Sequence, residues 1–440
     1  MGEVLRQAPA EIRGVRVRWR IFSLIVGFAM IVYFQQRSVS IAAERIMPEL
    51  SLTQMQIGWL QWAFVFTYGL LQFPGGVFGQ RIGARRALTS ILLVAVFATA
   101  LVPLAPTLFT GTALFAVLLG TQLLLGVAHA PFMPVCSGVM AAWLPSRRWA
   151  LAQGIHTCGL QIGAALAPPI LVMLMQAFGW QRALFWAALP PLALIAVWYW
   201  YARNTPVEHA AVSAPELAEL GTPVIPSSDS GVSLDRIRHI LGNRSILLLT
   251  GSYICMNYVF YLLASWSFLY LIQQRHFTAL EGGWLASLPP IGAAIGAGSG
   301  GIITDALARR FGTKWGYRLA PLVALPTAGL LLLVAVYISS AYTAVAALTL
   351  AFAAVEITEG AYWAGTMQIA RADTMAATGV LNTGGNFGGV LGIPVVAYLS
   401  GHGAWNAAFF IGFICALLAA LAWFAVDTSH SLAVRPGTAA

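Results

Sequence analysis

Ionisable residues inside long apolar stretches are costly, and this 440-residue chain places a few of them there. Arg37 lies in Phe34-Gln35-Gln36-Arg37-Ser38. A guanidinium holds a carboxylate through two parallel N–H···O bonds. Its partner is therefore an organic anion or, structurally, an acid from elsewhere in the chain. Glu356 and Glu359 are spaced i,i+3, which predicts one helical face. Two carboxyls so close in low dielectric do not both ionise, which is how a proton carrier behaves. The plainer alternative is one structural hydrogen bond and one ion pair with Arg37. His129, between Gly126 and Pro131, has an imidazole that can relay protons near neutral pH, and His156 shares that chemistry. A hydrogen-bonded core histidine is the alternative for both. Tyr68, Gln161, Tyr258, Tyr261, Tyr362, Trp363, Asn382 and Asn386 suit the hydroxyls of a small anion, or else pack helices and line the membrane interface.

Other chemistry is excluded or unsupported. No GxxxxGK[ST] phosphate loop exists, and no His/Cys/Asp cluster has metal-ligand spacing, so neither ATP drive nor a metal or cofactor is expected. Cys136, Cys158, Cys255 and Cys415 sit in apolar stretches without CxxC spacing and read as packing residues.

The elements that must position these groups follow from composition. Apolar residues make up 59% and charged residues 9%, with a mean hydropathy of +0.78. Ordinary soluble domains have about 25% charged residues. Such a chain cannot cover a water-facing surface, which excludes a soluble enzyme or a nucleic-acid binder. Twelve apolar spans are predicted, roughly 20–43, 57–79, 87–106, 111–142, 151–175, 183–202, 246–271, 283–304, 318–338, 343–365, 376–399 and 404–426. The fold class is all-α membrane, with two pseudo-symmetric halves of six helices. The halves are 1–202 and 246–440, and the linker 203–245 carries Pro206, Pro215, Pro223, Pro226 and a polar run at 227–230.

With the N-terminus in the cytoplasm, twenty Lys and Arg fall on the cytoplasmic side and three (Arg45, Arg182, Arg275) outside; Arg37 lies within the first span. The net charge of +9 is thus mostly this bias. The basic N-terminus mimics a signal peptide, but the apolar run continues past residue 30 without a cleavage site, so it reads as a retained helix. A shift of 225 residues superimposes the halves: Gly58-Trp59 on Gly283-Trp284, Gly75-Gly76 on Gly300-Gly301, and Arg85 on Arg310. Gly154, Gly159, Gly163 and Pro169 fall on Gly379, Gly384, Gly388 and Pro394. Parallel repeats of six helices are a transporter plan with the substrate held where the halves meet. The glycine strings read as close helix-packing surfaces.

The loop after the second span reads Gly75-Gly76-Val77-Phe78-Gly79-Gln80-Arg81-Ile82-Gly83-Ala84-Arg85-Arg86. It resembles G-x-x-x-D-R-x-G-R-R, the signature of the major facilitator superfamily. A second copy runs from Gly301 to Arg310 and keeps Asp305 and Arg309. The resemblance implies a conformational latch at Gln80, Arg81, Arg85, Asp305 and Arg309, weakened in the first copy where Gln80 replaces the Asp. Phe34 to Ser40, Gln56 to Trp59, Tyr68-Gly69, Ala128 to Pro134, Trp266, Tyr270-Leu271, Ser287 to Pro289 and Gly384 to Gly389 are similar to the anion:cation symporter family. That family imports sugar acids and carboxylates, usually with protons. Three positions depart from it: Gln36 and His129 replace acids, and Gln122 replaces an Arg.

The resemblance implies a monomeric importer of a small organic anion, coupled to protons, in the cell (inner) membrane with both termini cytoplasmic. It implies that Arg37 holds the anion, and that Glu359 and His129, with Glu356, carry the proton. Proton-driven efflux of cations, uncoupled anion uniport and a non-transporting nutrient sensor are the alternatives.

Overall fold

The computed structural model describes residues 16–220, 234–277 and 285–432, and every regular element among them is helical. Pro223, Pro226, the 227–230 run, Gly283-Trp284, Arg6, Arg13 and Arg435 lie outside the described residues. Nine helical runs among the described residues are long and apolar enough to cross a membrane. Two of them hold two spans each. Leu288–Tyr337 is the eighth and ninth, folded back at Gly312 with φ 75°. Ala341–Gly401 is the tenth and eleventh, joined through the 3-10 turn Arg371–Asp373. The second span is broken at Leu71 into Gln54–Leu70 and Gln72–Ile82, each too short to qualify, and it completes the twelve.

The expected ends agree to within a few residues for most spans. The first is longer, Val17–Glu49. The continuity of four others was overestimated, the second, broken at Leu71, among them. The fourth divides into Gly111–His129 and Phe132–Trp143 around Pro131, which has no N–H to give. The sixth divides at Pro190 into Trp180–Ala188 and Pro190–Tyr201. The tenth divides into Ala341–Ile357 and Glu359–Ala370 with no proline present. There the Thr358 hydroxyl donates to the Val355 carbonyl at 2.7 Å, and the Thr358 N–H donates to the same oxygen at 3.1 Å. Such back-bonding tightens and bends a helix. Glu356 and Glu359 therefore flank a break instead of sharing one continuous helical face.

Within each half the first-type span packs on the fifth-type: Val17–Glu49 on Trp149–Phe178, and Arg244–Arg275 on Thr374–Gly401. Between halves the main contacts are the fifth span on the eighth and the second on the eleventh. They need backbone-to-backbone approach. A Cβ at Gly76 would overlap the Met375 carbonyl, and one at Gly301 would lie 2.5 Å from the Ala150 oxygen. These two contacts are images of each other under the 225-residue shift. The repeat visible in sequence is thus a repeat of contacts, kept by glycine where two backbones touch.

Candidate functional site

The contacts joining the halves gather toward the arginine-rich end. Asn382 Nδ2 donates to Gln72 Oε1 at 2.9 Å, and the Phe73 N–H donates to the Thr383 hydroxyl at 3.2 Å. The Cys158 thiol donates to the Ala294 carbonyl at 3.3 Å.

Arg37 lies on the first span, Val17–Glu49. It lies one turn beyond Tyr33 on the same helical face. Tyr33 is close enough to Tyr68, Tyr261, Arg37 and Glu356 to be influenced by each, and Tyr261 likewise by Tyr68 and Arg37. The guanidinium therefore faces the other half. It is exposed, and among the described residues it makes no hydrogen bond or ion pair. The structural ion pair with a tenth-span acid is not formed. An arginine buried unpaired in hydrocarbon would cost at least about 2.5 kcal/mol, so an exposed guanidinium within a span calls for water or an anion beside it.

Polar side chains lie beside it. The Tyr261 hydroxyl donates to Asn386 Oδ1 at 3.3 Å, and Asn386 Nδ2 donates to the Asn382 carbonyl at 2.9 Å. The Tyr68 hydroxyl lies by the amides of Gln72 and Asn382. Gln161 is half-buried on the fifth span, one turn beyond Cys158. Glu356 is 1% exposed, with Oε2 lacking any hydrogen-bond partner, and it lies close to Tyr33 and Cys158.

Other expected site residues are elsewhere. Glu359 is held inside the second half, accepting from the Tyr253 hydroxyl at 2.8 Å and from Trp363 Nε1 at 2.6 Å. The Tyr362 hydroxyl meets Ser252 Oγ at 2.6 Å, and the Tyr258 hydroxyl donates to the Ala408 carbonyl at 3.2 Å. These aromatic groups brace the half internally. His129 packs edge-on against Phe64, with 5.8 Å between ring centroids, and His156 stacks on Phe132 at 5.7 Å. Neither imidazole has a hydrogen-bond partner, contrary to the hydrogen-bonded reading of each. Tyr33 and Gln72 were not singled out from sequence. Their signals were spacing: Tyr33 is four residues before Arg37, and Gln72 four after Tyr68.

The arginine-rich end closes through two related junctions. Asp305 accepts from the Ala150 and Leu151 N–H groups at 3.2 and 3.0 Å, in the first turn of the fifth span. Helix N-termini offer such unpaired donors. Gln80 does the same for the eleventh span: its Oε1 accepts from the Ala376 N–H at 3.4 Å. Positions 80 and 376 are the 225-residue images of 305 and 151. The amide adds what a carboxylate cannot. Gln80 Nε2 donates to Asp373 Oδ1 at 2.8 Å and to the Ala372 carbonyl at 3.1 Å. Asp373 is the image of Arg148, whose charge acts with that of Arg309 on Asp305. The junction with an arginine thus has the acid, and the junction with an acid has the amide. In the Gln80 junction the acid is Asp373 of the other half. Arg85 stays within its own half, donating from Nε to the Tyr199 carbonyl at 2.9 Å, and Arg81 is exposed. No group of three or more His, Cys, Asp or Glu that could hold a metal is found among the described residues.

The pattern of the Major Facilitator Superfamily matches residues 25–376. The "Probable sulfoacetate transporter SauU" of Cupriavidus necator is 27% identical, over 88% of each chain. The "Probable galactarate/D-glucarate transporter GarP" of Escherichia coli (strain K12) is also 27% identical, over 70% of this chain and 71% of that one. Among solved structures, the proton:xylose symporter XylE superposes with a TM-score of 0.74 at 12% identity, covering 93% of this chain and 96% of that one. The E. coli fucose:proton symporter FucP gives 0.70 at 14% identity, covering 94% and 100%.

Proposed function

The chain belongs to the Major Facilitator Superfamily, and from that premise we propose that it carries a small organic anion with a proton, by alternating access, past Arg37. It is a membrane transporter and not an enzyme. The observation that carries the reading is Arg37 itself: an exposed guanidinium facing the other half, with no partner of its own. A carboxylate or sulfonate supplies the missing acceptors, and the hydroxyls and amides of Tyr68, Tyr261, Asn382 and Asn386 suit hydroxyls on its carbon chain. Relatives named for sulfoacetate and for galactarate and glucarate support an organic acid as the cargo.

Glu356 takes the proton in this account. A buried carboxyl with an unpartnered oxygen is held at lower cost as the acid than as the anion. Like Arg37 it lies close to Tyr33, so anion and proton would be held near one another. Glu359, tied to Tyr253 and Trp363, serves as the fixed base of that wall. By the positive-inside bias the arginine-rich end is cytoplasmic. The Gln80 and Asp305 junctions are then the inner gate, and this conformation receives substrate from outside. The halves that rock are 1–202 and 246–440, hinged through 203–245.

Uptake into proteoliposomes tests this. With the interior neutral and the exterior acid, labelled glucarate or sulfoacetate should accumulate in vesicles of the native protein. Arg37→Ala should lower uptake at limiting substrate by about tenfold to a hundredfold, since hydrogen bonds to charged groups contribute about 1.5–3 kcal/mol. Undiminished uptake by R37A would overturn the assignment.

A further inference from the structure

A groove of about 400 Å³ lies outside the transport path, between the start of the seventh span and the end of the twelfth. It is lined by Gly242, Arg244, Leu247, Leu248, Gly251 and Leu418, with Ser252 and Ala422 at its sides. Its volume falls within the usual range of small-ligand sites, about 300–1,000 Å³. Two glycines keep it open: a Cβ at Gly242 or at Gly251 would meet nothing within 4 Å. Leu247 and Leu418 are half exposed, so the groove opens sideways, toward the lipid. Its one polar side wall is already satisfied, since the Ser252 hydroxyl donates to the Ala419 carbonyl at 2.7 Å. The interior is therefore apolar in effect and suits a hydrocarbon chain.

The mouth carries a cation. Arg244 is exposed and makes no hydrogen bond or ion pair among the described residues. Asp427, whose N–H donates to Ser245 Oγ at 3.1 Å, is paired with Lys314 at 2.9 Å. The helix Leu234–Gly242 leads into the groove and exposes Arg238 and His239, with Ile240 fully buried. Arg238 is paired with Asp235 at 3.7 Å, so the cation at the groove is Arg244, and apolar walls under its guanidinium match an anionic amphiphile lying along the helices.

We propose that this groove is a binding site for one anionic phospholipid of the cytoplasmic leaflet, with an acyl chain between the seventh and twelfth spans and the phosphate at Arg244. The leaflet rests on the orientation given above; the binding does not. The lipid would brace the second half at the point where the linker enters it.

Native mass spectrometry of the full chain released from detergent micelles, with phosphatidylglycerol or phosphatidylcholine added, tests the site without any transport assay. The native protein should retain one phosphatidylglycerol in preference to phosphatidylcholine. Arg244→Gln should weaken that retention about fivefold, the effect of one basic residue at an anionic membrane surface. Gly251→Leu should displace the lipid by filling the groove, and the open space at Gly251 lets that variant fold, which its thermal unfolding will verify. Equal retention of both lipids, or loss in R244Q with full retention in G251L, would overturn the proposal. The second result would mean a surface ion contact with no occupied groove.

Discussion

Arg37 and Glu356 divide the work at the scale of single residues. One is exposed and unpaired, the other buried with an unpartnered oxygen. Glu359 differs from both because two donors fix it. The account therefore separates two isosteric changes. Glu356→Gln should abolish proton-driven accumulation yet leave exchange of labelled for unlabelled anion across the membrane. Glu359→Gln can keep its carbonyl as acceptor for Trp363 Nε1 and donate its amide to the Tyr253 hydroxyl, and should leave the proton coupling in place. Counterflow and pH-driven uptake, measured on the same vesicles, check both; coupling lost in E359Q and kept in E356Q would reverse the assignment. The charge of Arg37 was legible in the sequence, because an arginine inside an apolar span needs a reason. For Tyr258 and Tyr362 the sequence left anion contact and helix packing both open. Their hydroxyls look like those of Tyr68 and Tyr261, and only the rotation of each helix about its axis separates the two pairs.

At the scale of elements, the breaks in the fourth and tenth spans and the two junctions at the arginine-rich end matter most. Interrupted spans at corresponding places in two repeats are a mark of a transport site. The break at Pro131 was foreseeable from proline, whereas the break at Thr358 was hidden, because back-bonding by threonine is a choice the fold makes. The partner of Gln80 was equally hidden. The junction's missing acid is replaced by Asp373, 293 residues away in the chain, which no local motif reveals. The prediction belongs to this pair. Gln80→Asp would set two carboxylates against each other and loosen the junction. A cost of about 1.4 kcal/mol would shift the balance of open and closed forms about tenfold. Spin labels across the arginine-rich end should report more of the open form in Q80D. The double variant Gln80→Asp with Asp373→Arg copies the Asp305–Arg148 arrangement and should restore closure. No change in the distance distribution of Q80D would refute the gate as drawn.

At the scale of the whole molecule, the twelve spans and their 225-residue repeat were readable because apolar length and glycine spacing are local signals. The contacts that turn the repeat into two halves leaning together at one end were not, since they depend on which conformation is closed. Outside the membrane, the ends are tied by ion pairs. Arg16 and Arg18 bind Glu219 of the linker helix Ala214–Leu220, and Lys314 binds Asp427. The Ser429 hydroxyl and then Lys314 hold the Asp427 carboxyl well below the usual carboxylate range; Arg18 foremost lowers that of Glu219. A depressed native value means that the stabilisation is complete above the unfolded value, about 3.9 for Asp and 4.3 for Glu. It is lost as pH falls from there through the native value. These ties should therefore be insensitive to pH between 7.5 and 5.5, where coupling is assayed, and weaken below about pH 4. Because both carboxylates are partly exposed, the change should be small. Thermal unfolding at stepped pH should show Asp427→Asn with a shallower acid decline than the native protein; parallel declines would remove Asp427 from the account.

The most direct measurement of the central claim is thermal stabilisation of the purified protein by glucarate, sulfoacetate and a cationic drug panel, with the native chain beside Arg37→Ala. A ligand at a hundred times its dissociation constant adds about 2.7 kcal/mol to the folded state. The account predicts a raised Tm with the organic acids for the native protein, none with the cations, and loss of the organic-acid effect in R37A. Equal stabilisation of R37A by the acids, or a response to cations alone, would contradict it.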